Sequence, residues 1–163
     1  MKLVPRCIVV TLVMVTWVVL HVHAQHSAYQ TITFEVKPIT KIHVSANPQP
    51  LVIDRNVSGD GDVTILDNAT RYSILTNQND MKIVASIDHP MPDGTRLLLA
   101  AASSAGISRG TVDLSGATAP VEMVSSIQRG IDRDQSLSYM LVADASIQKL
   151  DRQSRLVTLT ITN

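Results

Sequence analysis

Beyond residue 25, apolar side chains in this chain recur at every second position, and the three-and-four spacing of an amphipathic helix is nearly absent. A period of two sets one side of an extended strand against a core and leaves the other in water, so the chain is constrained to pack sheet on sheet. The clearest case near the N-terminus is Thr31 to Val36, where Ile32, Phe34 and Val36 alternate with Thr31, Thr33 and Glu35. Pro38 ends that run by removing a backbone donor. Ile39 to Val44 follows as a second short strand, Ser45 to Pro50 reads as a loop, and Leu51 to Ile53 as a short strand leaving it.

Asn56 to Asp62, rich in Gly, Asp, Ser and Asn, is a loop, and Val63 to Leu66 is a weak strand. Arg71 to Thr76 and Met81 to Ile87 are β-rich runs joined by Asn77-Gln78-Asn79-Asp80, which predicts a hairpin with Met81, Ile83, Ala85 and Ile87 on one face. Pro90 and Pro92 interrupt the sheet, and Pro92-Asp93-Gly94 predicts a turn. Further strands are expected at Arg96 to Ala102 (Leu97, Leu99 and Ala101 on one side), Thr111 to Leu114, Val121 to Ile127, Ser136 to Ala143 and Leu156 to Thr162. The charged stretch Arg129 to Gln135, with Asp132 and Asp134, reads as a solvated hairpin tip, and Ala145 to Arg152 is the single place for a helical turn. About ten strands with turn signals every eight to twelve residues predict an all-β fold, an antiparallel immunoglobulin-like β-sandwich with Greek-key connections.

The first 24 residues have the three parts of an export signal. Lys2 and Arg6 supply positive charge, Ile8 to Leu20 is almost wholly apolar, and Val22-His23-Ala24 has small residues where a signal peptidase needs them. The apolar run is shorter than the roughly 20 residues that cross a bilayer as a helix. We therefore expect a signal peptide at 1–24, one β-sandwich domain at 25–163, no membrane span after cleavage, and a secreted, extracellular or cell-surface location. The chain has 14 basic and 14 acidic side chains, and loss of Lys2 and Arg6 leaves 12 − 14 = −2. With no basic cluster to neutralise phosphates, nucleic acid is not an expected partner. The single cysteine, Cys7, and the single tryptophan, Trp17, both lie in the signal. The exported domain must then be held by burial and sheet hydrogen bonds without a disulfide, which suits a bacterial envelope or surface protein.

Signals of chemistry are sparse. His26, His43 and His89 are isolated and lack metal-clamp spacing, so no metal or other cofactor is expected. Asp60, Asp62 and Asp67 beside Gly59 and Gly61 offer oxygen ligands but depart from the twelve-residue calcium loop, and read as a solvated turn. Ser103, Ser104 and Ser108 sit in no G-x-S-x-G elbow, and Glu35 and Glu122 are single outward positions on strands. The expectation is that the protein is not an enzyme. Asn56-Val57-Ser58 and Asn68-Ala69-Thr70 match the N-glycosylation pattern, which matters only in a pathway that reads it.

Four stretches carry a resemblance: Gln30 to Val36, Tyr72 to Ala85, Met91-Pro92-Asp93-Gly94 leading to Leu97-Leu98-Leu99, and Leu156 to Thr162. Together they resemble uncharacterised exported bacterial proteins with an immunoglobulin-like sandwich and, more loosely, pilin and surface-fibre subunits. The resemblance implies structural or adhesive work at the cell surface and carries over no catalytic residue. Chaperone-assembled pilins often have a disulfide near the N-terminus, which this chain cannot form. The expected function is a non-catalytic subunit that joins copies of itself by strand pairing or donation, with Ile32, Phe34 and Val36 as candidate strand-donor contacts. The same three residues could instead form the first strand of their own domain, an alternative slightly favoured over a swapped arm. The competing function is a monomeric adhesion or binding module for a cell-surface glycan or protein.

Overall fold

The computed structural model describes residues 29–53, 61–145, 147 and 150–163. The chain divides into two compact units, Met1–Glu35 and Val36–Asn163. Of the first, the described residues 29–35 carry no strand or helix and are exposed. The second holds ten strands among its described residues: β1 (Thr40–Val44), β2 (Val63–Asp67), β3 (Arg71–Thr76), β4 (Met81–Ile87), β5 (Thr95–Ala101), β6 (Ile107–Ser108), β7 (Thr111–Asp113), β8 (Val121–Ile127), β9 (Gly130–Ala143) and β10 (Val157–Thr162).

These strands form two antiparallel sheets, as the period-two pattern requires. The six-stranded sheet runs β1-β3-β9-β5-β7, with β2 also paired to β9, and the four-stranded sheet runs β10-β4-β8-β6. Their inner faces share one core, with Tyr72, Ile74, Leu97, Leu99, Leu137 and Tyr139 from one sheet meeting Met81, Ile83, Ala85, Ile87, Met123, Val124 and Ile127 from the other. The alternation expected on Met81 to Ile87 and on Leu97, Leu99 and Ala101 is the one observed.

The pairing differs from the expected hairpin. Arg71–Thr76 and Met81–Ile87 are both strands, but β3 pairs with β1 and β9 while β4 pairs with β10 and β8. Residues 77–80 are therefore an arch from one sheet to the other. No described strand hydrogen-bonds with its immediate sequence neighbour. Asn79 ties this arch to the link between β8 and β9, its Oδ1 accepting the Arg129 N–H at 3.1 Å.

Four further expectations need correction. Thr31 to Val36 forms no strand, its apolar residues having no strand partner among the described residues, and Leu51 to Ile53 forms none either. The stretch Arg129 to Gln135 is no solvated tip: from Gly130 it is the first half of the fourteen-residue β9, paired with β3. The described residues between Ala145 and Arg152 show a turn and no helix. The Pro92-Asp93-Gly94 turn is present, although Pro92 acts through its carbonyl, which accepts the Thr95 N–H at 3.0 Å and hydroxyl at 2.6 Å. Gly94 there takes φ +75°, the left-handed region that favours glycine.

Candidate assembly surface

Exposed apolar residues in the described chain concentrate on the segment leading into β1. Ile32, Phe34 and Val36 are 76%, 86% and 77% exposed. None of the residues from Thr31 to Ile39 is in a strand, so the predicted donor contacts lie on an unpaired run of alternating side chains. Where the run reaches the sandwich it is fastened by one side chain. Asn77 donates from Nδ2 to the Lys37 carbonyl at 2.9 Å and accepts the Ile39 N–H at Oδ1 at 2.8 Å. The Asn77 N–H also donates to the Ile39 carbonyl at 3.1 Å, extending the β1–β3 ladder one step past Thr40 and Thr76.

In the sandwich, β1, β2, β6, β7 and β10 each have one side without a strand partner among the described residues. On the outer face of the six-stranded sheet, Leu75 and Ile131 are directly paired across β3 and β9 and are 39% and 55% exposed. Lys41 lies opposite Leu75, and Lys41, His43, Ser73 and Arg133 line the same shallow depression of about 260 Å³. A second shallow depression, of about 580 Å³, lies on the outer face of the other sheet and includes Lys82, Glu122, Thr160 and Thr162.

No family model, curated protein or solved structure matches this chain.

A polar cluster that the sequence pattern gave no sign of is built at the end of β5 around one buried carboxylate. Asp132 is 2% exposed and accepts from the Ser103 hydroxyl at 2.8 Å, the Ser104 hydroxyl at 2.6 Å, and the N–H groups of Ser104 and Ala105 at 3.0 and 3.2 Å. Burial works against its ionised form, but the Ser104 and Ser103 hydroxyls and the two backbone donors outweigh it, and the carboxyl titrates below its ordinary range. Ser103 Oγ in turn accepts the Gly106 N–H at 3.0 Å. Tyr72 donates its hydroxyl to the Ala102 carbonyl. Burial, then the Asp132 charge, push the Tyr72 phenol up to about 12, against a smaller opposing effect of Ser103. Both serines direct their protons at an acceptor-only carboxylate, and the effect is to anchor residues 103–106 as the chain leaves β5 for the other sheet. Gly106 is required by closeness: a Cβ there would stand 2.7 Å from both the Ile127 Cγ1 and the Ser125 carbonyl oxygen on β8.

The remaining sequence candidates are dispersed. Asp62 pairs with Arg96 at 2.8 Å, Asp67 accepts the Thr70 hydroxyl at 3.2 Å, and Asp60 lies outside the described residues. No group of three or more His, Cys, Asp or Glu that could hold a metal occurs among the described residues. His43 faces outward on β1, His89 sits 3.2 Å from Asp88, and His26 is outside the described residues. Glu122 receives Arg109 at 2.7 Å. Asn68 is exposed in the β2–β3 link, while Asn56 is not described. No described helix is long and apolar enough to cross a membrane.

Proposed function

We propose that this protein is a non-catalytic extracellular or cell-surface subunit that joins copies of itself through strand pairing, exported by residues 1–24. The observation that carries the reading is the run Thr31 to Val36, which is in no strand and whose Ile32, Phe34 and Val36 are exposed; the sandwich, for its part, has strand edges without a described partner. Burying three such side chains in a neighbour is worth about 1.5–3 kcal/mol each before ordering costs, and main-chain bonds add register. A non-catalytic role is supported by Asp132, Ser103 and Ser104 being committed to one another. The immunoglobulin-like Greek-key reading of the sandwich belongs to the same proposal, supported by links that carry the chain between the two sheets.

Deleting residues 25–36 and imaging the protein by negative-stain electron microscopy tests this. Intact protein is expected to form filaments or layers that grow with concentration, and the deletion to leave single particles. Unchanged assemblies in the deletion, or single particles in both, would reject it.

A second reading, a monomeric module for an anionic glycan or protein, is favoured by Leu75 and Ile131 set beside Lys41, His43 and Arg133. It predicts one monomeric species at every concentration, and binding lost in Ile131→Asp.

A further inference from the structure

The five edges open among the described residues are not equivalent, and β2, at five residues as short as β1, ends on the charged Asp67. Soluble sheet proteins protect an edge by making it short, charging it or placing proline on it. β6 has two residues and β7 three, while β1 presents Lys41 and His43 outward. β10 has none of these protections. Its six residues, Val157-Thr158-Leu159-Thr160-Ile161-Thr162, carry no charge and no proline, and all but Leu159 are β-branched. It pairs with β4 in unbroken register from Val157–Ile87 to Thr162–Lys82, so the donors and acceptors on its other side form a regular row with no described strand partner, although β1 of the other sheet packs near it. Its inward residues Val157, Leu159 and Ile161 are only half-buried, whereas Ile83, Ala85 and Ile87 behind them are buried. The core is thus left partly uncovered along β10.

We infer that the free edge of β10 in one copy receives Thr31 to Val36 of a second copy as an added antiparallel strand. The inference rests on the self-assembly reading above and names the receiving site. Alternation fixes the facing, with Ile32, Phe34 and Val36 toward the core, and the register that pairs all six arm residues with all six of β10 sets them opposite Ile161, Leu159 and Val157. The outer face then pairs Thr31 with Thr162, Thr33 with Thr160, and Glu35 with Thr158, and directly opposed threonines are favourable cross-strand partners. One step further Lys37 falls opposite Leu156, whose backbone is bonded to Asp88 of the same copy, so alternation sets the lysine on the face of that carboxylate. An arm-to-edge contact is head-to-tail, and such contacts build open chains unless the rotation closes a ring.

The test uses full chains carrying Cys7→Ser, so that introduced thiols are the only ones. Chains with Thr33→Cys are mixed with chains with Thr160→Cys under mild oxidation and run without reductant. Opposed antiparallel residues have Cα atoms within disulfide reach, and both sites are exposed, so the substitutions leave the core untouched. The expected result is a disulfide heterodimer at least tenfold more abundant than from Thr33→Cys mixed with Leu159→Cys, whose thiols would face opposite sides. A heterodimer formed equally with Lys41→Cys or Ser108→Cys would overturn β10 as the receiver while leaving arm-driven assembly standing. Dimers of Thr160→Cys with itself in place of the heterodimer would replace the arm with β10–β10 pairing and overturn the inference. Absence of any cross-link from protein that stays monomeric would remove both the inference and the reading beneath it.

Discussion

Asp134 adopts a left-handed backbone, φ 53°, and thereby reverses the facing of Asp132 two residues before it. Between the pairs Tyr72–Gln135 and Ile74–Asp132, β9 advances three residues while β3 advances two. The extra residue is a β-bulge, which shifts the phase of alternation, and Ser73 Oγ accepts the Asp134 N–H at 3.2 Å within it. Counting back by twos from Leu137 would put Ile131 and Arg133 in the core. The bulge puts Asp132 there instead and leaves Ile131 outside.

If Asp134 matters for its backbone, substitutions should sort by tolerance of positive φ. Asp134→Gly is expected to stay within about 0.5 kcal/mol of the parent, because what it gains in strain it loses in chain entropy. Asp134→Val should cost on the order of 2 kcal/mol, β-branched residues being the least suited to this region. Urea unfolding of the two variants checks the order, and equal midpoints would contradict it.

Removing the Asp132 carboxylate should destabilise the sandwich more than a typical surface change. Asp132→Ala leaves the four donors from Ser103, Ser104 and Ala105 without their acceptor, and a loss of about 2–4 kcal/mol is expected. The pH dependence gives a second signature. The folded carboxyl titrates below its unfolded value of about 3.9, so its contribution is complete above that pH and is lost as pH falls through the folded pKa. Asp132→Asn should flatten that part of the acid limb, measured as thermal midpoint against pH from 6 to about 2.

The same cluster marks where the sequence stops being legible. Regular strands such as Met81 to Ile87 and Leu97 to Ala101 were readable because alternation alone fixed their inner faces. Bulged strands were not: in β8 the neighbours Met123 and Val124 are both buried, since the register with β4 slips on either side of Ile83. Ser126, at φ 53°, belongs to the same irregularity. Partner choice was also hidden. Asn77 to Asp80 has the composition of a hairpin turn, yet which sheet each flanking strand joins is decided by long-range pairing with β9 and β10. For the assembly surface the pattern showed Ile32, Phe34 and Val36 but left open whether the chain itself pairs them. The structure leaves them unpaired.

Gly106→Ala should be costly although its φ is ordinary. The added methyl would meet the Ser125 carbonyl oxygen and Ile127 Cγ1 at 2.7 Å and Val124 Cγ1 at 2.9 Å, and the oxygen belongs to strand backbone that cannot swing aside. A loss of about 1–3 kcal/mol is expected from overpacking. Guanidinium unfolding checks it, and a variant as stable as the parent would show that β8 yields at its bulge.

Alkaline pH should weaken the fold through Tyr72. Its phenol ionises at about 12 in the folded protein and near 10 unfolded, so between these values the unfolded chain holds fewer protons and stability must fall as pH rises. The full effect of one such group is on the order of 2–3 kcal/mol, from about 1.36 kcal/mol per pKa unit. Tyr72→Phe keeps the buried ring and removes the hydroxyl donated to the Ala102 carbonyl, so it should cost about 1 kcal/mol at neutral pH. Above pH 10 the variant should lose stability less steeply than the parent and overtake it before pH 12. Tyr139, also raised by burial and by Asp67, contributes a parallel decline in both proteins, so the difference between them isolates Tyr72. Identical alkaline slopes would show that the Tyr72 hydroxyl reaches water in the folded state and that its contact with the end of β5 is not maintained.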